Sequence, residues 1–180
     1  VRDAPQHCAY RIRTGPHTWA KKYPVAHGQR QSPVDVWVSN PEEGRIVPKD
    51  GLPRLTWSYT KQSADFVLNT GAGWRLLPNV SGDPGHVKGG PLASPFRLAQ
   101  IHMHWGITEA EGSEHTIDGK PLTGEVHLVH FDAERYPTLE SAVGQPGGIA
   151  VLGTLLVLAD EGNPELDKVA DVVEYIPLRG

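Results

Sequence analysis

Residues 100–106 of this chain read Gln100-Ile101-His102-Met103-His104-Trp105-Gly106, and all but Gly106 belong to a predicted strand, Phe96 to Trp105. Successive side chains of a strand point to opposite faces, so Gln100, His102 and His104 share one face. Two imidazoles at this spacing can converge on a single metal ion. The segment therefore predicts a sheet with a metal-binding face.

A second predicted strand, Gly124 to Phe131, contains Glu125-Val126-His127-Leu128-Val129. By the same alternation Glu125, His127 and Val129 share a face. If the two strands are neighbours, His127 joins the histidines of the first strand, next to hydrogen-bonding side chains and an apolar wall.

Three neutral histidines with an open fourth position are typical of a catalytic zinc site, whereas closed structural sites are usually rich in cysteine. This chain has one cysteine, Cys8. We therefore predict Zn2+ as the cofactor, and the predicted ligands are His102, His104 and His127. Gln100 and Glu125 are predicted to accept hydrogen bonds from the second ring nitrogens of the ligands and so to orient them.

Two other interpretations of the histidines stay open at this point. A His-x-His pair on a strand can be two hydrogen-bonded or exposed histidines without a metal. The cupin metal motif also runs His-x-His followed by a glutamate, and His102, His104 and Glu109 imitate it, with His127 as a later ligand. That interpretation predicts an iron or manganese oxygenase or isomerase. Spacing alone does not separate these alternatives.

Turn-forming residues are frequent, with 20 Gly and 16 Pro in 180 residues, so the strands are predicted to be short and the protein to be sheet-rich. The predicted strands are Ala64 to Leu68, Trp74 to Leu77, Phe96 to Trp105, Gly124 to Phe131 and Ile149 to Ala159. One helix is predicted between the Asn163 cap and Pro177, and a shorter one over Thr138 to Val143. The length suits a single domain, residues 1–180.

The composition excludes some classes of partner. A net charge of -4 without a Lys/Arg run predicts no nucleic-acid binding. The longest apolar run, Ile149 to Ala159, is shorter than the roughly 20 residues that span a bilayer as a helix, so no membrane span is predicted. A single cysteine, which has no partner for an internal disulfide, favours a cytoplasmic protein. The sequon Asn79-Val80-Ser81 favours the alternative, a secreted protein.

Four segments resemble the alpha-class carbonic anhydrases in their order and spacing. They are Gln31-Ser32-Pro33-Val34-Asp35, Gln100 to Gly106, Gly112 to Lys120 and Glu125 to His130. Further matches at Gly15-Pro16 with Trp19, at Gly89 to Leu92 and at Ala150 to Gly153 extend the likeness from about Tyr10 to the end of the chain. The resemblance implies a mostly β fold, α+β by its helix content, with a twisted, mainly antiparallel central sheet and short peripheral helices.

The resemblance also implies the chemistry and the residues that perform it. The reaction is the reversible hydration of carbon dioxide to bicarbonate by zinc-bound hydroxide, so these small molecules are the expected partners. Glu114 matches a buried glutamate that orients a threonine hydroxyl, and Tyr10 matches a tyrosine of the active-site solvent network. The zinc ligands implied are again His102, His104 and His127. The carbon dioxide pocket implied includes Val129 and Val151. The structural histidines implied are His115 and His130.

The chain departs from the family pattern in three places, and each departure predicts a change in the site or in the domain. The usual proton-shuttle histidine falls at Ala72, so we expect turnover limited by buffer, with His7 as a candidate substitute. Arg75 stands where the family often has a smaller amide, and can alter the water chain or attract anions. The family's Leu-Thr-Thr-Pro segment, which supplies the threonine hydroxyl, would follow Gly180, so the domain is predicted to be truncated at its C-terminus. A catalytically impaired binding or matrix protein of the same fold is therefore the second functional hypothesis, and the cupin-type oxygenase is the third.

Overall fold

The computed structural model describes residues 19–21, 23–38, 51–61, 64–70, 73–79 and 81–176. Its strands are β1 (Asp35–Val36), β2 (Thr56–Tyr59), β3 (Ala64–Asn69), β4 (Trp74–Pro78), β5 (Gly85–Lys88), β6 (Phe96–Trp105), β7 (Thr116–Ile117), β8 (Lys120–Pro121), β9 (Gly124–Phe131) and β10 (Ile149–Leu156). Its helices are α1 (Leu139–Ala142) and α2 (Pro164–Glu174), with a 3₁₀ turn at Pro24–His27. The mostly β fold with short helices that the sequence predicts is confirmed.

Residue contacts divide the chain into two compact units. One comprises the described parts of Val1–Val47 together with His104–Glu125 and Leu155–Leu158. The other comprises the described parts of Pro48–Met103, Val126–Thr154 and Ala159–Gly180. The single domain expected from the length stays a prediction.

A small sheet in the first unit has the strand order β1-β7-β8, with β1 parallel to β7 and β7 antiparallel to β8. Asp118 and Gly119 form the turn between β7 and β8 with φ of 49° and 75°, and an Asp-Gly pair suits such positive angles. The Asp35 carboxylate accepts hydrogen bonds from the Thr116 hydroxyl at 2.6 Å and the Gly119 amide at 2.8 Å. Strand β1 therefore fixes the hairpin that follows residues 113–115.

The larger sheet has seven strands, with β10-β9-β6-β4-β3 as its main order and β5 joining β2 to β6. The pairs β2 with β5, β3 with β4, β4 with β6 and β5 with β6 are antiparallel. Within the second unit, Val87 on β5 lies opposite Phe96 on β6, and both are almost wholly buried. Burying an apolar side chain of this size contributes about 1.5–3 kcal/mol. This cluster, with the buried Leu98, anchors the first half of β6.

Helix α2 begins as the sequence predicts, because the Asn163 side chain accepts hydrogen bonds from the amides of Glu165 and Leu166 and Pro164 occupies the first turn. Strand β10 is shorter than predicted and ends at Leu156, so the prediction of a strand to Ala159 is wrong. Val157 and Leu158 are each 68% exposed, so the apolar run does not mark buried structure there. Among the described residues, no helix has the length and apolar character needed to span a membrane.

Candidate metal centre

The rings of His102 and His127 meet in the second unit. Their centroids lie 5.1 Å apart and their planes are nearly perpendicular, at 89°. His102 lies on β6 and His127 on β9, which are neighbours in the larger sheet. The condition set by the sequence hypothesis, that the two strands are adjacent, is therefore met.

His104 completes a group that can hold a metal ion. It lies two residues after His102 on β6 and so on the same strand face. The candidate ligand atoms of His102, His104 and His127 all lie within 4.8 Å of one another. Three imidazoles without a thiolate form the donor set of a catalytic zinc site. The identity of the ligands and of the metal stays a prediction.

Gln100 lies on the same face of β6 as His102, two residues earlier. Its carbonyl oxygen Oε1 is buried and has no hydrogen-bond partner among the described residues. An unsatisfied buried acceptor costs about 1–3 kcal/mol. The ring N–H of a metal-bound histidine is a donor that would satisfy it. The histidine group therefore fits a zinc ion, and the orienting role of Gln100 stays a prediction.

The carboxylate of Glu125 anchors the loop that precedes β7. Glu125 is 1% exposed, and its Oε2 accepts hydrogen bonds from the amides of Glu114 at 3.0 Å and His115 at 2.8 Å. Its Oε1 lies 2.7 Å from Nδ1 of His115, whose other ring nitrogen is 3.0 Å from the Ser32 hydroxyl. Glu125 thus fixes the backbone from which the side chains of Glu114 and His115 extend. Its predicted role toward a metal ligand stays a prediction.

Glu114 points its carboxylate toward a candidate metal ligand. Oε2 of Glu114 lies 3.3 Å from Nε2 of His104, and the Glu114 side chain is 29% exposed. A carboxylate at this distance favours the binding of a cation at the histidine group. The predicted role of Glu114, the orientation of a threonine hydroxyl, stays a prediction.

A close backbone approach positions this loop. The amides of Gly112 and Ser113 both donate to the carbonyl of Leu122, and a Cβ at Gly112 would overlap the carbonyl oxygen of Thr123. No side chain fits there. The glycine is therefore required for the path of residues 112–114.

A second group of possible metal ligands consists of His115, Glu125 and His127. Both carboxylate oxygens of Glu125 already accept hydrogen bonds from His115 or from backbone amides. A metal at this group would compete with those hydrogen bonds for the carboxylate oxygens. The three-histidine group is therefore the better candidate.

The other predicted site residues differ in their surroundings. Val129 is 8% exposed and shares the strand face of His127 on β9, whereas Val151 on β10 is 48% exposed. Glu109, the candidate ligand of the cupin interpretation, is exposed. It belongs to neither of the two groups of described residues that could hold a metal ion. Tyr10 and Ala72, with the candidate substitute His7, lie outside the described residues.

The sequence did not predict a half-buried hydrogen bond between Tyr59 and His130. The Tyr59 hydroxyl lies 3.0 Å from Nε2 of His130, which is wholly buried. Burial lowers the pKa of His130, although hydrogen bonds with the backbone of Ala150 and Leu128 oppose that shift. Burial also raises the pKa of Tyr59. Strand alternation placed His130 on the opposite face from His127, but no local pattern identifies a partner 71 residues away.

Known proteins resemble this chain over most of its length. A family model described as eukaryotic-type carbonic anhydrase matches residues 14–180. The chain is 36% identical to "Carbonic anhydrase 1" of Mus musculus over 171 residues, which is 95% of this chain and 63% of that protein. It is 39% identical to "Carbonic anhydrase 7" of Homo sapiens over 166 residues, which is 92% of this chain and 61% of that protein. The chain thus spans a little over three fifths of the length of these relatives. With a matching family model over most of its length and relatives above 30% identity, this chain belongs to the eukaryotic-type carbonic anhydrase family.

Proposed function

We propose that this chain binds one zinc ion through His102, His104 and His127 and catalyses the reversible hydration of carbon dioxide to bicarbonate. The observation that carries the proposal is the convergence of these three histidines from β6 and β9 in a member of this family. The family membership makes the cupin-type oxygenase untenable.

Zinc, when bound, lowers the pKa of a coordinated water to about 7, the value established for carbonic anhydrases, and so supplies the nucleophile at neutral pH. The protein's contribution is to hold three neutral imidazoles in place. The Gln100 carbonyl oxygen is a buried acceptor that can accept a hydrogen bond from the second ring nitrogen of His102 and so fix its tautomer. Glu114 adds negative charge beside His104, which favours retention of a cation.

Carbon dioxide is small and apolar, so a site that orients it needs an apolar surface beside the histidines. Val129 supplies such a surface, since it follows His127 by two residues on the same face of β9 and is 8% exposed. Val151 is 48% exposed and excludes water less well. We assign Val129 the larger part in orienting the substrate.

The proton released by each hydration has to leave the site. Because alanine at position 72 cannot transfer a proton, we propose that buffer molecules take it up. The rate is then expected to rise with buffer concentration until another step becomes limiting.

Stopped-flow hydration of carbon dioxide by the zinc-loaded chain tests this proposal. We expect activity that a zinc chelator removes, that zinc restores and that rises with buffer concentration. His102→Ala is expected to lose both bound zinc and activity, whereas His27→Ala, which removes an exposed histidine outside the group, retains both.

Two results would count against the proposal. Activity that persists after complete removal of zinc would contradict the role of the metal. A folded, zinc-loaded chain without activity would instead favour the alternative of a catalytically impaired binding protein. Circular dichroism of each variant separates loss of folding from loss of metal.

A further inference from the structure

Arg75 lies directly beside a candidate metal ligand. In the antiparallel pairing of β4 with β6, Arg75 is opposite His102, and in the pairing of β3 with β4 it is opposite Leu68. Directly opposed residues of antiparallel strands point to the same face, with Cβ atoms about 4.5–5.5 Å apart. Leu68, Arg75 and His102 therefore form a row across three strands on one face of the sheet.

The guanidinium of Arg75 lacks a charged partner among the described residues. Arg75 is exposed and makes no ion pair or side-chain hydrogen bond with any part of the chain that the structure describes. By contrast, Arg97 donates to the carbonyl of Gly82 at 2.7 Å, and Arg135 lies 3.7 Å from the carboxylate of Asp132. Arg75 thus presents its donors in a planar fork that matches the two oxygens of a carboxylate.

Apolar side chains adjoin this cation on the same face. Phe66 precedes Leu68 by two residues on β3, beyond the irregular register at the start of that strand, and is opposite Leu77. Phe66 is 63% exposed and Leu68 is 45% exposed. Phe66 is the diagonal neighbour of Arg75, at about 7–8 Å, within reach of an aromatic ring. A positive charge and an exposed apolar surface therefore lie next to each other.

We propose that Arg75, Leu68 and Phe66 form a binding site for a small organic anion that carries a carboxylate on an apolar body. The carboxylate is held by the guanidinium of Arg75, and the apolar body covers Phe66 and Leu68. The site needs no metal, so it stands independently of the proposed hydration reaction. Because Arg75 is opposite His102, a bound anion lies beside the histidine group and is expected to restrict access to it.

Binding of benzoate, followed by ligand-observed NMR titration on the metal-free and the zinc-loaded chain, tests this proposal. Benzamide serves as the neutral ligand of the same shape. We expect benzoate to bind both forms of the chain, more tightly than benzamide and more weakly as salt is raised.

Four variants assign the contributions. Arg75→Gln is expected to weaken benzoate binding about tenfold, because a charge-assisted pair is lost, and to leave benzamide binding unchanged. Phe66→Ser is expected to weaken both ligands several-fold by removing apolar contact. Arg54→Gln removes an exposed arginine outside this row and should change neither. Arg75→Lys keeps the charge without the fork and should lie between wild type and Arg75→Gln.

Other results would overturn the proposal. Equal benzoate affinity in Arg75→Gln and Arg54→Gln would exclude Arg75 as the anion receptor. Benzoate binding that requires zinc would place the anion on the metal instead. Benzamide binding as tight as benzoate would show that charge has no part in recognition.

Loss of the hydration reaction alone, with benzoate binding intact in the metal-free chain, would refute the proposed function and leave this site standing.

Discussion

Glu125→Gln tests how the loop beside the histidine group is held. The substitution preserves volume but removes the charge of a carboxylate that is 1% exposed and accepts three hydrogen bonds, at 3.0, 2.8 and 2.7 Å. Glutamine can keep its oxygen toward the amides of Glu114 and His115 and place its NH2 group toward Nδ1 of His115. His115 must then change tautomer and donate its Nε2 proton to the Ser32 hydroxyl, which can accept it.

The expected loss follows from these contacts. In this variant the amides of Glu114 and His115 donate to a neutral acceptor instead of a charged one. Hydrogen bonds to charged groups contribute about 1.5–3 kcal/mol and neutral ones about 0.5–1.5 kcal/mol, so each bond loses about 1 kcal/mol. We therefore expect Glu125→Gln to lower the free energy of unfolding by about 2 kcal/mol. Glu125→Ala leaves three half-buried donors without this acceptor, and we expect a loss of about 3–5 kcal/mol.

Urea unfolding followed by tryptophan fluorescence measures both losses, with Glu134→Gln as the control, since Glu134 is exposed. The control is expected to change stability by less than about 0.5 kcal/mol. If Glu125→Gln were as stable as the control, the carboxylate would not hold the loop. If glutamine and alanine were equally harmful, the predicted tautomer change would be wrong.

Three further predictions concern the buried pair and the tight loop. Tyr59→Phe should lower the free energy of unfolding by about 1–2 kcal/mol in urea titrations, because it leaves a buried nitrogen of His130 without its partner; an unchanged midpoint would refute this. Burial lowers the pKa of His130 below 6.5, so the unfolded chain takes up this proton first as the pH decreases. The free energy of unfolding should therefore decrease as the pH is lowered from about 6.5 to the lowered pKa of the folded state. The slope from this group is at most about 1.4 kcal/mol per pH unit, and His130→Asn should reduce it. Gly112→Ala should destabilise the fold by more than about 2 kcal/mol or prevent folding, as thermal melting would show, because its Cβ meets the Thr123 carbonyl.

Local pattern was sufficient to predict the candidate ligands and five of the ten described strands, namely β3, β4, β6, β9 and β10. Strand alternation places His102 and His104 on one face, and that regularity needs no tertiary information. The Asn163 cap and Pro164 likewise predicted the start of α2 from adjacent residues.

Features that depend on which strands become neighbours were not predictable from local pattern. The row that joins Arg75 to His102 requires the register of β4 on β6. The partner of His130 required the pairing of β2 with β5 to bring in Tyr59. The end of β10 was misjudged because apolar composition indicates burial only where a neighbour covers the strand, and Val157 is 68% exposed.

Zinc K-edge X-ray absorption of the zinc-loaded chain tests most directly whether three histidines of β6 and β9 supply all the protein ligands. We predict three imidazole nitrogens and one further light atom at about 2.0–2.1 Å, and one nitrogen fewer in His127→Ala. A sulfur ligand at about 2.3 Å would bring in a cysteine, and an unchanged spectrum in His127→Ala would place the metal elsewhere. Either result would contradict the three-histidine centre.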